Sequence, residues 1–389
     1  MKFSARADAV TPFYAMEFGK KAAALEARGV HVVKLNIGEP DFGAPPAFLE
    51  EVRRISDGRP MAYTGALGLD TLRSRIAEFT ATKFGAPIAP ERVVVTTGAS
   101  AALLLSCAAL IDPGDEVLVS DPSYPCNRRF AESFGGNVRL LETTPETRFQ
   151  LTADMVDGAW GERTRGVMVA TPSNPTGTSL PYDELTALCS TVANHDGWRI
   201  VDEIYLGLAD DGPDGPPRSI SAVDPGAIVI NSFSKYFGLT GWRLGWAVVP
   251  EEMIPVAERL AQNYYICPPT PSQMAALTCF DPETLAVAED RRAQMRSRRK
   301  LVLDGLERIG LDVPVHPDGA FYVYLDVSKT GLSASEFCDR ALAEAHVALT
   351  PGKDFGDAGA ERFVRLSYAA SEADLALAIE RLGNLLNSI

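Results

Sequence analysis

Positive charge, histidine, paired cysteine and long apolar runs are all scarce in this chain. Lys and Arg number 37 against 51 Asp and Glu in 389 residues, a formal net charge of −14. Nucleic-acid affinity rests on counterion release by clustered cations, so this balance argues against a phosphate-backbone binder. The six cysteines (Cys107, Cys126, Cys189, Cys267, Cys279, Cys338) include no CxxC pair, and a chain of this length needs no staples, so free thiols are expected. The four histidines (His31, His195, His316, His346) show neither metal-ligand nor nucleophile spacing, and no metal is expected. No apolar run approaches membrane-spanning length, and residues 1–29 hold no signal-type h-region, so a cytoplasmic protein without a membrane partner is the expectation. TTGASAAL lacks the GxGxxG spacing of dinucleotide sites, and SNPTGT lacks the lysine of a P-loop.

What is present is ordinary globular material: 46% apolar and 23% charged residues, in a chain long enough for two domains. From about Pro90 to Pro250, short β-branched runs alternate with segments of helical period, which predicts a mostly parallel sheet covered by helices. The seven predicted strands are RVVVTT (92–97), EVLVSD (116–121), NVRLLE (137–142), GVMVAT (166–171), RIVDEI (199–204), AIVINS (227–232) and LGWAVV (244–249). Helices are predicted over 100–110, about 127–134, 182–194 and 251–263. After about Pro282 the pattern becomes a charged helix (EDRRAQMRSRRKLVLDGLERI), FYVYLDV, a further helix, FVRLSYA and a terminal helix, which is an α+β unit. A helix around 15–28 is expected to pack with it, giving a large domain over 41–282 and a small domain from 1–40 and 283–389. Only ADDGPDGPPRS (209–219) reads as a linker-like surface loop.

Open sheets of this kind bind ligands beyond the carboxyl ends of their strands. Five segments place polar residues there. In TTGAS (96–100) a strand turns into a helix at Gly98 with Ser100 near the N-cap; free N–H groups and the helix dipole would hold an anion, although a serine-capped turn would look the same. Tyr124 in SDPSYPCN can pack, or stack on a flat ring. Asn174 in ATPSNPTGT lies between two X-Pro steps that set the backbone on either side. Asp202 follows the apolar run RIV, where a carboxylate must cap a helix or meet a cation or several donors, and Tyr205 comes three residues later. The fifth segment, NSFSKYFGLTGWRLGW (231–246), mixes aromatics and glycines suited to burial with Lys235 and Arg243. Each has a plain structural explanation. Together they supply a lysine, a carboxylate, an anion cradle, a stacking aromatic and polar ring partners around one crevice. Those are the requirements of pyridoxal phosphate, whose aldehyde takes an amine, whose ring nitrogen takes a carboxylate, and whose phosphate takes arginine, hydroxyls and a helix N-terminus.

From LNIGEPDF to RLSYA, through SNPTG, VDEIY and SFSKYFGLTGWRLGW, the chain resembles the class I aminotransferases of fold type I, in particular their bacterial aspartate-aminotransferase-like branch. The resemblance implies a pyridoxal 5'-phosphate enzyme of α/β class that exchanges the amine of an L-amino acid with a 2-oxo acid by a ping-pong route. It also implies a homodimer with active sites at the subunit interface. By position, Lys235 resembles the Schiff-base lysine of the internal aldimine, later the base that moves the proton, with a pKa depressed by burial and by the cofactor's charge. Asp202 resembles the partner of the ring nitrogen, and Tyr205 and Asn174 the donors to the phenolic oxygen. Ala99, Ser100, Ser232, Ser234 and Arg243 match the phosphate site, Tyr63 of YTGALG the tyrosine reaching the phosphate of the neighbouring subunit, and Tyr124 the stacking aromatic. Arg365 in VRLSYA resembles the bidentate clamp on the substrate α-carboxylate, with Gly38 and Asn174 beside it.

One departure bears on substrate. Aspartate-specific members hold the side-chain carboxylate with a second arginine from the partner subunit, whereas QNYYICPPTPSQ (262–273) offers Asn263, Tyr264 and Tyr265 but no arginine. Acidic donors are therefore not expected as the sole class, and Phe13 or Tyr14 could admit apolar or aromatic ones. Elimination, cyclisation or oxidation on the same scaffold, and a ligand-sensing module without turnover, stand as alternatives.

Overall fold

The computed structural model describes residues 1–213 and 215–389. Its strands are β1 (Val33–Lys34), β2 (Val93–Thr96), β3 (Glu116–Asp121), β4 (Asn137–Glu142), β5 (Thr164–Ala170), β6 (Trp198–Asp202), β7 (Ile228–Ser232), β8 (Gly245–Val248), β9 (Tyr322–Asp326), β10 (Val347–Ala348), β11 (Thr350–Pro351) and β12 (Phe363–Ser367). Strands β2 to β8 form one sheet in the order β2-β8-β7-β6-β5-β3-β4, parallel except for β8, which runs against both β2 and β7. All seven correspond to predicted strands, with ends moved by a residue or two.

Runs such as VVV and IVI are apolar at consecutive positions because both faces of this sheet are covered. Alternate side chains enter different cores. Val94, Val117, Val119, Ile200 and Ile230 pack with Leu103 and Leu105 of the helix Ala99–Leu110. Val93, Val95, Leu118, Val167 and Val201 pack with Leu188 and Val192 of the helix Tyr182–Asn194.

Several helix boundaries differ from expectation for identifiable reasons. The residue capping Ala99–Leu110 is Gly98, at φ 79°, not Ser100, which is already helical. The charged helix starts at Pro282, not at 289, because proline suits a first helical turn whose N–H groups are unpaired anyway. The segment 251–263 splits into a 3-10 turn, Glu251–Met253, and an α-helix, Ile254–Tyr264, with Pro255 in its opening turn. Helices Pro46–Ile55, Asp70–Phe84, Ala153–Ala159 and Thr270–Ala276 lie outside the predicted set.

Strands β11, β12 and β9 form an antiparallel sheet, and β1 pairs in parallel with β10, matching Val33 to Val347. The helices Pro282–Arg308 and Glu372–Leu386 pack on one another beside this unit. Asp214 of the expected linker 209–219 lies outside the described residues. The start of that stretch is bound to the long helix: Arg292 donates to Ala209 O and pairs with Asp211 at 2.9 Å, and Arg296 pairs with Asp210 at 2.8 Å.

Candidate active site

A cavity of about 250 Å³ opens where the carboxyl ends of β5, β6 and β7 face β9 and β12. Chain direction explains the convergence. Parallel strands end together, so the residues just past their tips share one edge of the sheet. Asn174 lies in the loop after β5, Asp202 closes β6 and Tyr205 follows it, and Ser232, Ser234 and Lys235 lead out of β7. Ala99 and Ser100 open the helix after β2, and Tyr124 stands in the turn after β3. Gly38 comes from the segment after β1 and Arg365 from β12.

One side of the cavity is arranged around Gly98. Its positive φ turns β2 into the helix, and a Cβ there would lie 2.5 Å from Arg243 Nη2, so glycine is required twice. Arg243 is itself left-handed, at φ 52°, which costs a non-glycine residue about 1 kcal/mol or more. Its guanidinium lies against Gly98, the residue that precedes the first N–H groups of Ala99–Leu110, which have no partner within the helix. Ser232 and Ser234 are buried close by, and the Ser234 N–H donates to Ser232 Oγ at 3.0 Å. Arginine, hydroxyls and a helix N-terminus form a phosphate-type cradle.

Lys235 Nζ donates to Gly38 O at 2.7 Å and lies 5.7 Å from the centroids of Tyr205 and Phe321. Burial, with Arg365 and Arg243 nearby, lowers its pKa from the usual lysine value to about 8, against the pull of Glu39 and Asp202. Asp202 is buried, and burial raises its pKa to about 7 although Ile204 N–H and Lys235 favour the charged form. The pair suits a lysine able to exchange a proton near neutrality beside a carboxylate able to hold one.

Arg365 is the other unusual cation. It is buried between Tyr322 and Phe355, 4.7 and 4.9 Å from their ring centroids. Among the described residues its hydrogen bonds go to neutral oxygens: Nη1 to Asn174 Oδ1 at 2.9 Å, Nη2 to Asn36 O at 2.6 Å and to Thr350 Oγ1 at 3.5 Å. Nε has no partner. A buried guanidinium without a carboxylate is costly, and an arriving anion would relieve that cost.

Of the cofactor and substrate residues expected from the resemblance, all but Tyr63, which is 77% exposed, line the cavity. Phe13 lines the cavity, whereas Tyr14, Asn263, Tyr264 and Tyr265 do not. Tyr322 escaped sequence reasoning. Its hydroxyl meets that of Tyr205 at 2.7 Å, its ring supports Arg365, and a Cβ on Gly38 would lie 2.1 Å from that hydroxyl. The aromatic pair Phe321-Tyr322 at the head of β9 was the available signal.

The residues fit a group with a phosphate at one end, a ring nitrogen needing a carboxylate, and an aldehyde within reach of Lys235. The sequence model of the family "Aminotransferase class I and II" matches residues 30–382. The valine–pyruvate aminotransferase of Mycobacterium tuberculosis is 40% identical over 97% of each chain. The aspartate/prephenate aminotransferase of Thermus thermophilus is 37% identical over 98% of each. Among solved structures, an aminotransferase from Mycobacterium tuberculosis superposes with a TM-score of 0.95 at 40% identity, covering 100% of both chains.

Proposed function

This chain belongs to the class I and II aminotransferases, enzymes that transfer amino groups with pyridoxal 5'-phosphate, and on that premise we propose how its own residues divide the work. The curated relatives are named for amine transfer, which does not favour the elimination, cyclisation or oxidation reading. Bound in the cavity, the cofactor supplies an aldehyde that accepts the amine and a ring that withdraws electrons.

Lys235 Nζ is the amine that holds the aldehyde and then moves a proton at the substrate α-carbon; its lowered pKa suits that role. Asp202 keeps the ring nitrogen protonated from a buried position that excludes water. Arg243, Ser232, Ser234 and the N–H groups at Ala99 and Ser100 bind the phosphate, and Tyr124 covers the ring. Tyr205 and Asn174 orient the phenolic oxygen. Arg365 binds the α-carboxylate beside Gly38, satisfying the Nε that otherwise lacks a partner among the described residues. The large unit over 41–282 carries the cofactor residues, and the unit from 1–40 and 283–389 carries Gly38 and Arg365.

The exposure of Tyr63, with Met61, Tyr264 and Ile266 also exposed, supports a homodimer in which Tyr63 serves the neighbouring site. No described helix is long and apolar enough to cross a membrane. Six free cysteines support a reducing, cytoplasmic setting.

The observation that carries this reading is the meeting of a lysine with lowered pKa, a buried carboxylate and a buried arginine without a counter-ion in one cavity. Lys235→Ala tests it. Amine transfer from any donor to a 2-oxo acid should fall by about 10²- to 10⁴-fold or more, and the visible absorbance of the bound cofactor should change. Full turnover in that variant would remove Lys235 from the reaction.

A further inference from the structure

We propose that the cavity takes amino donors with apolar side chains, seated on a wall made by Phe13, Ala15, Met16 and Ile37; this rests on the reading of Arg365 as the holder of the α-carboxylate. The wall is apolar and partly bare. Met16 is 55% exposed and Ile37 37% exposed, although both line the cavity, so they present surface that a bound side chain would cover.

Charge points the same way. Among the described residues lining the cavity, the cations are Lys235, Arg243 and Arg365. All three are already committed. Lys235 holds the aldehyde, Arg243 lies against the Gly98 turn in the phosphate cradle, and Arg365 takes the α-carboxylate. None of the three is left for a second carboxylate, the stretch 262–273 of a partner copy would bring no arginine, and Glu39, which also lines the cavity, would repel one. An acidic side chain would lose its water without gaining a counter-ion, whereas each methylene buried on an apolar wall favours binding.

The wall is tied to the carboxylate site by hydrogen bonds that cross the whole chain. Asp354 Oδ1 accepts from Tyr14 N–H at 2.9 Å and Oδ2 from Ala15 N–H at 3.0 Å, capping a helix whose own N-cap residue, Phe13, offers no side-chain bond. Asn36 Nδ2 donates to Ala15 O at 2.7 Å, and Asn36 O accepts from Arg365 at 2.6 Å. Ala15 is thus gripped at both its N–H and its C=O by residues that touch, or sit one strand from, Arg365. Asp354 and Asn36 are positioning residues: they set how far the wall stands from the α-carboxylate.

The test uses the holoenzyme with leucine and aspartate as donors, and spectral titration of the cofactor with two unreactive carboxylates, 4-methylpentanoate and succinate. Leucine should exceed aspartate in kcat/KM by at least about tenfold, and 4-methylpentanoate should bind more tightly than succinate. Met16→Arg, at an exposed position that leaves the fold intact, should shift the ratio toward aspartate by about tenfold or more. Asp354→Asn should raise KM for leucine severalfold while leaving kcat and KM for alanine nearly unchanged. Aspartate matching leucine in the unmodified enzyme, or succinate binding as tightly as 4-methylpentanoate, would overturn the apolar pocket. Equal effects of Asp354→Asn on leucine and alanine would overturn its positioning role. Arg365→Lys separates the two readings. It should weaken leucine and aspartate together; unchanged kinetics for both would sink the Arg365 assignment, whichever donor the enzyme prefers.

Discussion

At the sheet end of the cavity, Asp202 and Ser232 are the last residues of β6 and β7, fixed by ladder hydrogen bonds and a core that packs both faces. At the other end, Phe13, Ala15 and Met16 belong to a helix start anchored by Asp354 and Asn36, with Met16 largely in solvent. The difference separates chemistry from choice. A residue at a strand tip cannot move without disturbing the sheet, so the groups that must keep their geometry sit there. A residue on an exposed helix face can change at little cost to folding, so the wall that selects a substrate can vary.

Substitutions can break that contrast, and the largest effect belongs to the sheet end: Lys235→Ala, assayed by amine transfer, should abolish nearly all activity with little change in thermal stability. Next is Asp202, whose pKa is raised from 3.8 to about 7 by burial. Between those values the folded protein binds more protons than the unfolded chain, so this group's contribution to stability declines as pH rises through that window. Asn in its place carries no such penalty. Asp202→Asn, freed of cofactor and unfolded in urea at pH 4 and pH 8, should gain up to a few kcal/mol relative to the original protein at the higher pH. Gly98→Ala should cost about 1–2 kcal/mol from its positive φ and weaken cofactor binding by displacing Arg243, read by equilibrium dialysis. Tyr322→Phe removes one buried hydroxyl from a 2.7 Å pair and should cost about 1 kcal/mol of stability, read by thermal unfolding, with only a severalfold fall in kcat/KM because the ring beneath Arg365 remains. If Tyr322→Phe proved as damaging as Lys235→Ala, the groups that cannot be changed would not be confined to the large sheet's end of the cavity.

Legibility followed the same division. Asn174, Asp202 and Lys235 could be picked out because each comes shortly after an apolar run whose end is visible in the sequence. Arg365 and Gly38 looked like an ordinary strand arginine and a loop glycine, and only the resemblance to a family raised them. Tyr322 was passed over because an aromatic at the start of a strand reads as core, and it is buried as core residues are. Ser100 was placed at the helix cap because serine favours that position, yet Gly98 holds it because Arg243 occupies the space a Cβ would take.

The sequence by itself determined the seven strands, the main helices between them and the polar residues at the strand tips, because period and turn chemistry act within a dozen residues. Only the tertiary structure decided which distant groups met. Tyr205 touches Tyr322 across 117 positions, Arg365 reaches Asn36 across 329, and Ala15 hangs from Asp354 across 339. No local window contains such pairs. They form because packing β9, β12 and the N-terminal helix against one sheet edge brings buried donors and acceptors together, and buried polar groups must find partners.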